Sequence, residues 1–109
     1  MDKIHVLSSG SKANAIALEE NGRYILIDQG LSFKRFREKC STLGIALEKI
    51  AALLVTHEHT DHIQGIPLTA SELGIPVFAS PQVIPVIAEK SKRYNVSFFP
   101  LTKERLNII

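Results

Sequence analysis

The chain is short of the residues that build a secreted or membrane protein. It has a single cysteine, Cys40, so no internal disulfide can form and a zinc site made of several thiolates is excluded. No apolar run approaches the ~18 residues that span a bilayer. The opening MDKIHVLSSG turns polar too early to hold a signal-peptide core. Tryptophan is absent, and no aromatic residue among the basic ones reads as a platform for stacking single-stranded bases. A charge excess is missing too. Lys and Arg number 13 against 11 Asp and Glu, a net +2 that tolerates a polyanion without announcing one. What remains is 109 residues, 45% hydrophobic and 22% charged, which is the make-up of one globular domain. A cytoplasmic chain with no membrane partner is expected.

Local patterns divide the chain into alternating strands and helices. Ile4–Leu7 and Ala15–Leu18 read as short strands, the first closed by the turn-forming run Ser8-Ser9-Gly10-Ser11. Asn21-Gly22 is a hairpin signal, because both residues accept the positive φ a tight turn demands. Tyr24–Ile27 follows as a third strand whose continuous apolar run suggests burial on both faces. Ser32 is a good N-cap for a helix from Phe33 to about Leu43, with Phe33, Phe36, Cys40 and Leu43 on one face and Gly44 as the stop. Ile50 to Val55 is a strand, Pro67 to Leu73 a short helix stopped by Gly74, and Pro76–Ala79 another strand. Ser80-Pro81 should open a helix reaching about Arg93, with Pro85 bending it. Val96–Phe99 is a last strand. The alternation predicts a layered α/β fold.

Three of the four histidines lie within six residues, in His57-x-His59-x-Asp61-His62, where the Ile50–Val55 strand gives way to a loop. Imidazole and carboxylate are the ligands that zinc, iron and manganese accept when thiolates are missing. In an extended segment His57 and His59 point the same way and can share one ion. Asp61 and His62, beyond a turn at Thr60, can reach a second ion at the roughly 3.5–4 Å spacing of two-metal sites. Chance assembly of the pattern is on the order of 10⁻⁵. His5, among apolar neighbours, reads as structural, and Cys40 as core packing. Lys34, Arg35, Arg37, Lys39, Lys90, Lys92 and Arg93 read as solvated helix faces that could also meet phosphates.

The run Val55-Thr56-His57-Glu58-His59-Thr60-Asp61-His62 with Gly65 resembles the central motif of the metallo-β-lactamase fold superfamily. Ile27-Asp28-x-Gly30 resembles its upstream aspartate motif. Ser9-Gly10-Ser11-Lys12-Ala13-Asn14, Asp28-Gln29-Gly30-Leu31-Ser32 and Leu43-Gly44-Ile45 narrow the likeness to the bacterial YycJ/WalJ-like branch, although Ala13 stands where that branch carries glycine. The resemblance implies one half of an αββα sandwich and two divalent ions, zinc or manganese. It implies His57 and His59 as ligands of the first metal and Asp61 and His62 of the second, with Asp61 also the catalytic candidate. Asp28 would orient the ligand loop without touching metal, and Ser9, Ser11 and Asn14 would form a substrate loop. The implied activity is that of a phosphodiesterase or 5′-to-3′ exonuclease using a metal-activated hydroxide, with nucleic acid as partner.

The sequence departs from that pattern in one large respect. The family's second half supplies further ligands, but no histidine or aspartate follows His62 here. The ending Leu106-Asn107-Ile108-Ile109 makes residues 1–109 read as a partial domain cut at its C-terminus. The chain alone is therefore expected to hold at most one ion weakly and to be inactive. The competing readings are an inactive remnant or binding module, and a hydrolase of the same fold acting on a thioester or lactam. A face of the sheet carrying Ile25, Ile27, Leu54 and Val55 is expected to lie uncovered and to drive self-association.

Overall fold

Two residues of left-handed backbone, Asn21 at φ 54° and Gly22 at φ 78°, reverse the chain between its second and third strands. The computed structural model, which describes residues 3–10, 13–57 and 59–101, begins with β1 (Lys3–Ser8), β2 (Ala15–Glu20) and β3 (Arg23–Gln29). These three are antiparallel neighbours. Helix α1 (Phe33–Leu43) and a 3₁₀ turn (Leu47–Lys49) then lead to β4 (Ile50–Leu54). The short α2 (Thr60–Ile63) and α3 (Ile66–Leu73) lead to β5 (Val77–Ala79), and α4 (Ile84–Lys90) leads to β6 (Phe98–Pro100). From β3 onward the pairs are parallel. The strands stand in chain order, β1-β2-β3-β4-β5-β6.

That order explains the layering. Right-handed crossovers that step the same way each time leave every returning helix on one side of the sheet. On that side lie the buried side chains of Ala17, Tyr24, Leu26, Leu53, Val77 and Ala79, in one core with Phe36, Cys40, Ile66 and Ile87. The layered α/β expectation holds, and the described residues form one sheet with one helix layer. Helix α1 has the expected bounds: the Ser32 hydroxyl accepts from Arg35 N, and Gly44 closes it in the left-handed conformation.

Three expectations are corrected. Tyr24–Ile27 is not buried on both faces: Tyr24 and Leu26 are buried, whereas Ile25 and Ile27 are half-exposed, because among the described residues no helix crosses the second face. Val55 does not share the open face with Leu54. Consecutive strand residues point to opposite sides, and Val55 is buried. The last helix is shorter than expected. Pro85 lacks the N–H and clashes with the preceding turn of any helix begun at Ser80, so α4 starts at Ile84 with Pro85 in its first turn. The chain's apolar ending, residues 106–109, lies outside the described residues. Among the described residues no helix is long and apolar enough to cross a membrane.

Candidate metal centre

Strands β3 and β4 run parallel with Ile27 beside Leu54, so the segments that follow them leave the sheet side by side. Asp28 adopts φ 60°, a left-handed conformation that aspartate tolerates better than most residues. Its buried carboxylate reaches across to the histidine segment. Thr56 N donates to Asp28 Oδ1 at 2.8 Å, and the Thr56 hydroxyl donates to Oδ2 at 2.6 Å. His62 Nδ1 also lies 2.7 Å from Oδ2.

These contacts fix which ring nitrogen carries the proton. A carboxylate only accepts, so His62 Nδ1 must donate, and in the neutral ring the lone pair sits on Nε2. The single Thr56 proton is committed to Asp28. Its oxygen therefore accepts from His57 Nδ1, 2.7 Å away, and the lone pair of His57 is likewise on Nε2. One carboxylate thus sets two imidazoles in the form that ligates metal, His62 directly and His57 through Thr56.

The three rings lie together. Their centroids are 4.5 Å apart for His57 and His62, 5.7 Å for His57 and His59, and 6.5 Å for His59 and His62. A hydrogen bond from His62 N to His59 O, 2.8 Å, turns the chain into α2 between them. One ligand atom from each of Asp28, His57 and His62 falls within 4.8 Å of the others. His57 and His59 are exposed and His62 half-buried, so an ion could enter from solvent. The side chain of Asp61, the catalytic and second-metal candidate, lies outside what the structure describes, as does Ser11.

A second set of contacts seats this loop on the helix layer. Gln29 is wholly buried. Its Nε2 donates to Leu31 O and to Thr69 Oγ1, both at 2.9 Å, and its Oε1 accepts from Leu31 N at 2.9 Å. Gly65 N donates to Gln29 O at 2.9 Å. There is no room for a side chain at 65, where a Cβ would overlap the Leu31 carbonyl oxygen. Thr56, Gln29 and Thr69 were missed by reasoning from motif chemistry alone. The available signals were a hydroxyl next to the first histidine and an amide beside the motif aspartate.

The remaining candidates fall into place without joining the cluster. Asn14 O accepts from Gly30 N at 2.9 Å, which ties the loop bearing exposed Ser9 to the end of β3. Asn14 Nδ2 donates to Gly10 O at 3.0 Å. His5 Nε2 lies 2.8 Å from Glu19 Oε1, a structural contact across β1 and β2. Lys34, Arg35, Lys39, Lys90, Lys92 and Arg93 are exposed, and Arg37 covers the Phe33 ring at 5.2 Å.

Comparison with known proteins gives the family. Exodeoxyribonuclease WalJ of Streptococcus pneumoniae is 37% identical over 73 residues, 67% of this chain and 27% of that protein. Exodeoxyribonuclease YycJ of Bacillus anthracis is 35% identical over 65 residues, 60% of this chain and 25% of that protein. The chain thus spans about a quarter of the length of these relatives. A metallo-β-lactamase structure from Cronobacter sakazakii, a HARLDQ-motif mutant, superposes with a TM-score of 0.70 at 26% identity, covering 81% of this chain and 35% of that one. Residues 23–106, which contain both the Asp28 turn and the histidine segment, match the β-lactamase superfamily domain, and the chain belongs to that family.

Proposed function

We propose that this chain carries the metal-ligating segment of a metal-dependent phosphodiesterase of the 5′-to-3′ exonuclease type. The observation that carries the reading is the convergence of His57, His59 and His62, two of them oriented by Asp28. Imidazole nitrogens suit zinc and manganese, so the donor set fits such an ion. His57 and His59 would hold a first ion, and Asp61 with His62 a second. Asp28 orients rather than ligates, because both its oxygens already accept hydrogen bonds. A bound divalent ion would polarise the scissile phosphoryl group and make water a competent nucleophile near neutral pH. The loop of Ser9 and Asn14, tied to Gly30, would be the substrate loop. The names of the two sequence relatives support DNA as the substrate class. A single buried thiol fits a cytoplasmic setting.

With four candidate ligands in its sequence, the chain by itself should bind one ion weakly and turn over little or no substrate. The test is metal titration coupled to binding of a short 5′-phosphorylated single-stranded oligonucleotide. Zinc or manganese should strengthen oligonucleotide binding about tenfold, and His57→Ala should remove the gain. Failure to take up either metal would sink the assignment. So would hydrolysis of a lactam with no metal-dependent contact to DNA.

A further inference from the structure

Gln29 places an amide where an apolar side chain could fill the space without giving up bonds to water. Its side chain bonds to the backbone of Leu31 and to Thr69 Oγ1, and Thr69 is itself wholly buried. Such an amide adds little net stability, because each bond replaces one made with water. What it adds is direction, since few arrangements satisfy it. Thr69 belongs to α3, and Gly65 N, just before that helix, donates to Gln29 O. The two attachments are four residues apart, about 6 Å along a helix. A single attachment leaves a pivot, whereas two separated by a turn do not. The α2–α3 corner, which brings His62 to Asp28, is thereby held at a fixed angle to the end of β3. His57 does not share this hold. It follows β4, where Val55 N donates to Phe78 O, and its ring is tied to Thr56.

We infer that Gln29 and Thr69 are positioning residues of the metal centre, acting on His62 and not on His57. The inference rests on the reading of the histidines as ligands. Asp28 selects which nitrogen of His62 faces an ion, but one hydrogen bond at 2.7 Å lets the ring swing about the carboxylate oxygen. The backbone carrying the ring has to be fixed separately. Helix α2 is a single turn of four residues, too short to hold its own orientation, so it takes its orientation from α3. Gly65 lets the corner close on the 29–31 turn, since a Cβ there would stand 2.5 Å from Gln29 Nε2. Contacts that aim a ligand without touching metal commonly govern affinity ten- to a hundred-fold.

Nitrogen-15 spectra of the metal-free 109-residue chain read the tautomer of each imidazole, and zinc titration reads the consequence. Thr69→Val keeps the shape and removes the hydroxyl. It should raise the minor tautomer of His62 about tenfold, leave His57 unchanged and weaken zinc binding about tenfold. Thr69→Ser should restore both. If Thr69→Val does not fold, Thr69→Ala, whose gap admits a water to the Gln29 amide, should give the same pattern. Cys40→Ala, which loosens the core under α1, should leave the His62 tautomer as it was, whereas a merely structural role for Thr69 would make the two variants alike. A His62 ring unmoved by loss of the Thr69 hydroxyl overturns the inference. So does equal disturbance of His57, or of His62 by Cys40→Ala. A parent chain that takes up no zinc sinks the functional reading instead, because the tautomer shift tests the positioning without metal.

Discussion

The turn at Asp28–Leu31 and the first two turns of α1 are adjacent in sequence, yet they are held by opposite means. Under α1, Phe36 and Cys40 are closed off from solvent by apolar neighbours, where volume decides and direction counts for little. At the end of β3, Asp28 and Gln29 are buried too, but each polar side-chain atom has a partner at a set angle. There direction decides, because a misaligned buried donor forfeits most of its hydrogen bond. The apolar region keeps the chain folded, and the polar one keeps two imidazoles aimed.

The largest expected effect falls on the apolar side. Phe36→Ala should cost about 3–5 kcal/mol, read as a drop in the urea midpoint, which for a domain this small threatens the fold itself. Gly65→Ala should cost about 3 kcal/mol by forcing the Leu31 carbonyl out of place, and zinc affinity should fall with it. A substitution that left both the urea midpoint and zinc affinity intact would show that the 29–31 turn yields easily. Asp28→Asn keeps a residue at home in left-handed backbone, but either amide orientation sets an NH₂ group against a donor. It should cost about 2 kcal/mol and weaken zinc binding ten- to a hundred-fold in an equilibrium titration. Equal zinc affinity in this variant would remove Asp28 from the site.

The smallest effect separates the regions by pH. Burial pushes the Cys40 thiol from an ordinary 9.0 up to about 11. The unfolded thiol then ionises before the folded one. Stability should be unaffected below pH ~9 and decline by about 2 kcal/mol as pH rises toward ~11. Cys40→Ala should flatten that limb of a plot of urea midpoint against pH, and a slope unchanged in the variant would place its origin elsewhere.

Much of this was legible in the residues. Helix α1 could be bounded from Ser32 and Gly44 because caps are local chemistry, and the Asn21-Gly22 turn for the same reason. The histidine segment stood out as a candidate ligand set because donor type and spacing survive without knowledge of the fold. The side on which each residue of β3 would find cover was not legible, because that depends on the direction in which the crossovers step. Nor was the role of Thr56 or of Gln29. A hydroxyl relay and a buried amide are set by partners such as Asp28 and Thr69, which lie 28 and 40 residues away along the chain.

Because each strand after the first pairs with the one just before it in sequence, the sheet can be assembled in the order of synthesis. A chain still growing on the ribosome would have a partner for each strand after β1 as soon as it emerged, and no strand would wait for a distant stretch to appear. Such a topology needs few long loop closures before contacts reward them. Asp28 and Thr56 would meet once β4 docked, so the imidazoles would be oriented before β5 and β6 had emerged.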